Sequence, residues 1–251
     1  MLDTSWEKSG KWYKNIVGDE GHYYHQKIIL PHTLRLLKLQ KGDSLLDLAC
    51  GQGVLERQIP EEIDYVGVDL STTLIDEARS KSKKVKHIFG VADVSKPLPI
   101  DKKDFSHATI ILALQNIRKP FGVIKNAKDH LKIGGKLLII LNHPAFRIPK
   151  FSHWEVDQNK RIQYRRIDKY MKPIEIPIST NPGKGERSEE TWSFHYPISA
   201  YSEMIFDNGM VIEKIEEWVS DKISTGGAAD MENHARKEFP MFMAILVKKI
   251  S

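Results

Sequence analysis

The stretch Leu45-Leu46-Asp47-Leu48-Ala49-Cys50-Gly51-Gln52-Gly53 decides the fold of this chain. An apolar run enters a glycine turn, a helix is expected next, and a second apolar run, Tyr65-Val66-Gly67-Val68-Asp69, ends on a carboxylate. Runs this short, without polar alternation, read as parallel strands buried on both faces. Together they make half of an α/β unit of the kind that holds nucleotides. Glycine at 51 and 53 lets the backbone approach a bound molecule, because a Cβ there would obstruct it. Asp69, at the tip of the second strand, can accept hydrogen bonds from both hydroxyls of a ribose.

Outward from this unit the pattern repeats. Apolar runs recur at Thr109–Leu114 and Lys136–Leu141, with a weaker one at His87–Val91 leading into Ala92-Asp93. Ser71 opens a helix expected over Thr72–Lys81. Pro120 starts another that is expected to run to about Leu131 and stop at Gly134-Gly135. Strand and helix alternating in this order predict an α/β fold, Rossmann-like and doubly wound. Beyond Leu141 the order breaks. Ile162–Tyr170 and Thr191–Tyr196 read as short strands around a Pro/Gly/Ser-rich loop at Ser179–Gly185, an insertion on the sheet edge or over its ligand face. A helix at about Ile198–Asp207, strands at Val211–Trp218 and Met241–Lys248, and a helix around Met231–Lys237 complete the chain. One domain over 1–251 is expected: a lid segment (1–41), a cofactor-binding core (42–145), an inserted cap (146–196), and a closing helix with strands (197–251).

Composition bounds the function. A chain of 251 residues with 41% hydrophobic content can form one large α/β core. The formal net charge of +5 is modest, so a nucleic-acid partner is not expected. The single cysteine excludes an intrachain disulfide. No secretory signal and no membrane-length apolar run is visible, and a cytoplasmic protein is expected. No group of acids and histidines has metal-ligand spacing, so metal-independent chemistry is expected.

Asp47-Leu48-Ala49-Cys50-Gly51-Gln52-Gly53, then Asp69, then Ala92-Asp93, then Gly134-Gly135 before a strand, resembles the class I S-adenosylmethionine-dependent methyltransferases. The resemblance covers about 42–141. It departs where Ala49 replaces the first glycine of many members. It implies a mostly parallel seven-stranded sheet with an antiparallel C-terminal strand, and S-adenosyl-L-methionine as cofactor. It also implies Asp69, with Leu70 beside it, on the ribose diol, Asp93 with Ala92 on adenine N6, and the backbone after Leu112 lining the sulfonium. The loop Ala113-Leu114-Gln115-Asn116-Ile117 looks more like that of small-molecule O- and C-methyltransferases, including those of quinone biosynthesis. It lacks the Asn/Asp-Pro-Pro-aromatic motif of many amino methyltransferases.

The residues themselves favour a ligand without phosphates. Glu56 stands where a dinucleotide fold prefers a third small residue, and a carboxylate in that turn disfavours a pyrophosphate. Asp47, beneath the glycines, could hold an ammonium group. Candidates for the acceptor side are Tyr23, Tyr24 and His25 in the segment from Trp12-Tyr13 to His25, then His143 after the fifth core run, and His195. Of these, Tyr23 is placed on the cofactor, and Tyr24, His143 and His195 are the catalytic candidates. Asp157–Arg187 holds eight Lys/Arg against four Asp/Glu, and Arg161, Arg165 and Arg166 there either bind an anionic acceptor or line a solvated hairpin. The function expected is methyl transfer to a small-molecule acceptor. Three alternatives stand beside it: an RNA or protein methyltransferase, a non-catalytic S-adenosylmethionine-binding module, and a nicotinamide-dependent oxidoreductase. A homodimer is left open.

Overall fold

A computed structural model describes residue 7 and residues 21–179 and 190–251. Helical structure begins with a π-helical turn at His25–Ile29 and an α-helix at Leu30–Leu37. The core strands are β1 (Ser44–Leu48), β2 (Asp64–Asp69), β3 (Ile88–Val91), β4 (Phe105–Ile111) and β5 (Leu131–Asn142). The hairpin strands β6 (Ser152–Asp157), β7 (Ile162–Ile167), β8 (Ile174–Ser179) and β9 (Glu190–His195) follow, and β10 (Met210–Trp218) and β11 (Phe242–Lys249) close the fold. Seven strands form one sheet in the order β10-β11-β5-β4-β1-β2-β3. β11 alone runs opposite to the other six strands of this sheet. The Rossmann-like architecture expected from the sequence is the one observed.

Successive strand residues point to opposite faces, and here both faces are covered. Leu46, Leu48, Leu137 and Ile139 face a core shared with Ile124 and Ile205, from helices Pro120–His130 and Ile198–Asp207. Leu45, Tyr65, Leu138 and Ile140 face a second core with Leu37 and Ile75, from helices Leu30–Leu37 and Thr72–Lys81. That double coverage is why the runs lack polar alternation. The helix Thr72–Lys81 begins as expected, with the Leu74 N–H donating to Ser71 Oγ at 3.2 Å.

Several expectations are corrected. No α-helix follows Gly53; the chain makes turns and one short 3-10 segment, Glu56–Gln58. Pro60 pushes Ile59 into the extended region (ψ 131°), ending any helix at once. Glu56 is buried, bonded to His87 Nδ1 at 2.7 Å and accepting from Ser82 Oγ at 2.8 Å. The strand expected at Thr109–Leu114 lies earlier, at Phe105–Ile111. Its start was masked by Ser106 and His107, polar yet buried; Ser106 exchanges hydrogen bonds with Ser44 on β1. Gly134-Gly135 does not cap the helix, which ends at His130. It lies within β5, where pairing jumps from Phe105↔Leu131 to His107↔Lys136.

The insertion holds four strands rather than two, in hairpins β6-β7 and β8-β9. Ser152–Asp157 carries too few apolar residues to stand out, and Pro177 demotes Ile174–Ser179 in any sequence reading. In a two-stranded ribbon that proline has a free edge for its missing N–H. The loop expected at Ser179–Gly185 lies, beyond Ser179, outside the described residues, as do Trp12 and Tyr13. Strand β9 packs against the turn Leu114–Asn116, and the helix Ala229–Glu238 packs on β7, so the hairpins lie over the carboxyl ends of the core strands. Among the described residues no helix is long and apolar enough to cross a membrane.

Candidate active site

β1 delivers its chain into a loop with three left-handed residues, Ala49 (φ 56°), Gly51 (φ 55°) and Gly53 (φ 74°). The two glycines do different work. A Cβ on Gly51 would meet nothing within 4 Å, so that side of the loop is open to a ligand. A Cβ on Gly53 would press on Phe89 and Ala78 at 3.2–3.3 Å, so that glycine serves packing against the sheet. Leu112, at the exit of the neighbouring β4, is also left-handed (φ 53°). For a non-glycine residue this costs roughly 1–2 kcal/mol, and such strain collects at functional sites.

Two carboxylates lie under and beside this loop. Asp47 is 3% exposed; Tyr65 Oη–H donates to its Oδ2 at 2.8 Å and Thr109 Oγ1–H to its Oδ1 at 2.7 Å. Burial lifts its pKa to about 6, against the lowering effect of those two donors. Asp69 ties two loops together, its Oδ2 accepting from the Gly51 N–H and its Oδ1 from the Ser71 N–H, both at 2.9 Å. Burial raises its pKa as well. Each oxygen of both acids retains a lone pair for a further donor. Glu7 reaches the same edge, accepting from the hydroxyls of Ser71 and Thr73 at 2.5 Å each. Beside Asp69, Leu70 (45% exposed) and Val91 (43% exposed) present an apolar shelf. Asp93 folds onto its own turn, accepting from the Ser95 N–H and Oγ–H at 3.0 and 2.7 Å and pairing with Lys96 at 3.0 Å. Burial would raise its pKa, but those partners hold it below the usual value. The Ala92 N–H donates to the Asp69 carbonyl.

A first cavity is lined by His25, Asp47, Ala49, Gly51, Gln52 and Ile111. His25 is buried with Nδ1 unpartnered, and burial takes its pKa down to about 3, so it is a neutral imidazole there. Its neighbours turn elsewhere. The Tyr23 hydroxyl donates to Asp221 Oδ2 at 2.9 Å, the Tyr24 hydroxyl meets Ser220 Oγ at 3.1 Å, and Lys222 sits over both rings. The structure therefore groups both tyrosines with the segment after β10.

A second cavity opens on the other side of the β4 exit, lined by Gln115, Asn142, Arg147, Ser193 and His195 among others. Gln115 Nε2–H donates to the Leu112 carbonyl at 2.9 Å, which leaves its buried Oε1 without a partner. The two histidine candidates separate here. His143 is 1% exposed; its Nδ1 accepts from the Ala145 and Phe146 N–H groups, so Nε2 carries the proton and donates to Glu217 at 2.6 Å. Both nitrogens are thus engaged within the chain. His195 lines the cavity and donates from Nε2 to the Tyr170 carbonyl at 2.7 Å, leaving Nδ1 as the lone-pair nitrogen. Burial lowers its pKa, with the Tyr170 bond opposing, and favours the neutral ring.

Asp47, Ala49 and Gly51 converge on one cavity, with Gly53 completing its loop and Asp69 and Leu70 beside it. Tyr65, Thr109, Gln115 and Arg147 were not singled out by sequence reasoning. The first two sit inside strands as ordinary core positions, and nothing local marks them as partners of Asp47.

Residues 46–139 match the family model of a methyltransferase domain. The demethylmenaquinone methyltransferase of Listeria welshimeri is 31% identical over 117 residues, 43% of this chain and 48% of its own. That of Staphylococcus epidermidis is 25% identical over 130 residues, 50% of this chain and 52% of its own. The chain thus spans about half the length of these curated relatives. A solved S-adenosylmethionine-dependent methyltransferase from Mesorhizobium loti superposes with a TM-score of 0.66 at 24% identity, covering 87% of this chain and 96% of that one. A putative one from Listeria monocytogenes gives 0.68 at 20% identity, covering 88% and 96%. These two similarities concern the fold.

Proposed function

From the premise that residues 46–139 match a methyltransferase domain, we propose that this protein is an S-adenosylmethionine-dependent methyltransferase of class I that transfers a methyl group to a small-molecule acceptor, on oxygen or carbon. The observation that carries the proposal is the left-handed loop of Ala49 and Gly51, open on the Gly51 side and tied to Asp69, with Asp47 sealed beneath it. The residues fit the cofactor. Asp69 would take the ribose hydroxyls, Leu70 and Val91 one face of the adenine with Ala92 and Asp93 at its edge, and Asp47 the ammonium. The orphaned His25 Nδ1 offers one further polar atom in the same cavity. Bound there, S-adenosylmethionine supplies an electrophilic methyl group on a sulfonium.

The chain's own contribution is chiefly alignment. Two cavities flanking the β4 exit, at Ile111 and Gln115, hold donor and acceptor on either side of the strained Leu112. Alignment of this kind can supply on the order of 7–11 kcal/mol. His195 Nδ1 is the nitrogen available to take a proton from a hydroxyl or acidic carbon, worth a factor of about 10²–10⁴. Gln115 Oε1 can accept from an acceptor hydroxyl. We assign His143 to the turn that it caps, and Tyr24 and Tyr23 to holding the segment before the first strand closed over the cleft. A small acceptor is supported by the hairpins that roof the second cavity, and by relatives named for a quinone substrate. The insertion also has charges paired within the chain, Glu175 with Arg118 and Arg166 with Glu155 and Asp168.

The test is calorimetry and thermal shift with S-adenosylmethionine, S-adenosylhomocysteine, NAD and ATP in parallel. A ligand at 100 times its dissociation constant stabilises by about 2.7 kcal/mol. Shifts with the first two alone are expected. Stabilisation by NAD, with none by S-adenosylhomocysteine, would overturn the assignment.

A further inference from the structure

Arg147 stands on the loop leaving β5, half-buried in the wall of the second cavity with Gln115 and His195. Among the described residues no carboxylate pairs with it, and its guanidinium makes no hydrogen bond. A second guanidinium lies close by. Arg165 turns inward from β7, donating from Nε to the Phe146 carbonyl at 2.8 Å and from Nη2 to the Ser152 carbonyl at 3.2 Å and Oγ at 3.1 Å. It also lies over the Trp154 ring, 5.0 Å from its centroid. Its Nη1 stays unengaged, and it too meets no carboxylate among the described residues.

Other arginines nearby are neutralised. Arg118 pairs with Glu175, Arg166 with Glu155 and Asp168, and Arg236 with Glu232. Arg165 thus bonds the residue next to Arg147, and two half-buried cations brought near each other without a counter-charge destabilise the free protein unless something anionic neutralises them. The repulsion is visible in the acidity of Arg165. Burial, followed by the charge of Arg147, takes Arg165 down to about 10, while burial lowers the pKa of Arg147 with the nearby Tyr24 opposing. Packing alone explains a buried stem; it does not explain a guanidinium left unpaired beside another in a cavity wall.

We propose that the methyl acceptor carries an anionic group, a carboxylate or a phosphate, and that Arg147 binds it in the cavity that it lines with His195, with the charge of Arg165 behind it. This rests on the methyl-transfer reading for the identity of the ligand as acceptor. A planar guanidinium grips either oxyanion through two parallel hydrogen bonds, which fixes orientation as well as affinity.

The experiment titrates the full chain, with and without S-adenosylhomocysteine, with benzoate, inorganic phosphate and, as the uncharged control, benzamide. Saturable binding of at least one anion is expected, with none by benzamide. Which anion binds distinguishes a carboxylate from a phosphate acceptor. Arg147→Gln is expected to weaken that binding about tenfold or more while S-adenosylhomocysteine affinity stays unchanged. Arg147→Lys, which keeps the charge but loses the fork, is expected to weaken it several-fold; with Arg165→Gln it replaces the first variant should that one not fold. If the parent binds S-adenosylhomocysteine but neither anion, or if the Arg147 variants bind anions as the parent does, the anionic-acceptor assignment is overturned and methyl transfer stands. If S-adenosylhomocysteine does not bind at all, both fall.

Discussion

The cavity after β1 and the cavity after β5 open at the same end of the sheet, yet they are built by opposite means. The first is made of backbone. Ala49 and Gly51 turn the chain left-handed, and two acids beneath and beside the loop are held by neighbouring donors. The second is made of side chains carried on loops and on a strand of the inserted hairpins: Gln115, Arg147 and His195. A site made from the backbone depends on local residue types and tolerates little change in them. One assembled from side chains depends on which distant segments meet, so it can be remodelled for another acceptor without touching the cofactor loop.

The contrast can be broken most forcefully on the side-chain half. His195→Gln is expected to lower turnover of a hydroxyl acceptor by about 10²–10⁴ with S-adenosylhomocysteine affinity unchanged. A steady-state kcat with calorimetry checks it, and a variant of full activity would remove His195 as the base. On the backbone half, Asp69→Ala should weaken S-adenosylhomocysteine by about 100-fold, because the Gly51 and Ser71 N–H groups lose their common acceptor together with the ribose contact. Unaltered affinity would place the ribose elsewhere.

Acidity gives a sharper test. An ammonium favours ionised Asp47, whose pKa in the free protein is about 6. Affinity is therefore expected to be flat above that pH and to fall by about tenfold per unit below it. Thr109→Val removes a donor that lowers this pKa, so the shoulder should move to higher pH. Asp47→Asn should abolish the dependence. Stability of the free protein runs the other way. A carboxyl raised above its ordinary 3.8 favours the fold when protonated, and that contribution is lost as pH rises from about 3.8 through 6.

The smallest effects separate scaffold from site. His143→Ala should cost about 1–3 kcal/mol of stability, by uncapping the Ala145 and Phe146 amides, with cofactor affinity intact. Gly51→Ala and Gly53→Ala form the matching pair, read by melting temperature against calorimetry. Both carry the cost of a left-handed non-glycine residue, roughly 1–2 kcal/mol; the first is expected to add a loss of binding, since its Cβ enters the open side of the loop. The second should damage stability more, since its Cβ meets Phe89 and Ala78.

How much was legible follows the same division. The succession of strands through Leu141, the cap at Ser71 and the carboxylate at the tip of β2 could be read directly, because each is set by residues within a few positions of one another. Two errors came from local rules that lost to tertiary context. Ser106 and His107 looked too polar for a strand until Ser44 satisfied Ser106 from across the sheet. Glu56 looked like a helix's first turn until His87 and Ser82 drew it into the core. The hairpins β6-β7 and β8-β9 were only half visible, since a two-stranded ribbon buries too little on either face to impose a clean alternation.

By itself the sequence determined an alternation of buried strands with a ligand edge, and the loop where a backbone can approach a nucleoside. Positive φ, double-sided burial and strand-end acids are properties of short segments. The tertiary structure alone decided that Tyr65 and Thr109 share Asp47, that His195 gives one nitrogen to Tyr170 and keeps a lone pair on the other, and that Arg165 reaches Phe146 beside Arg147. Those facts depend on side chains brought together from 18 to 62 positions apart in the chain, and no local pattern encodes which of them will touch.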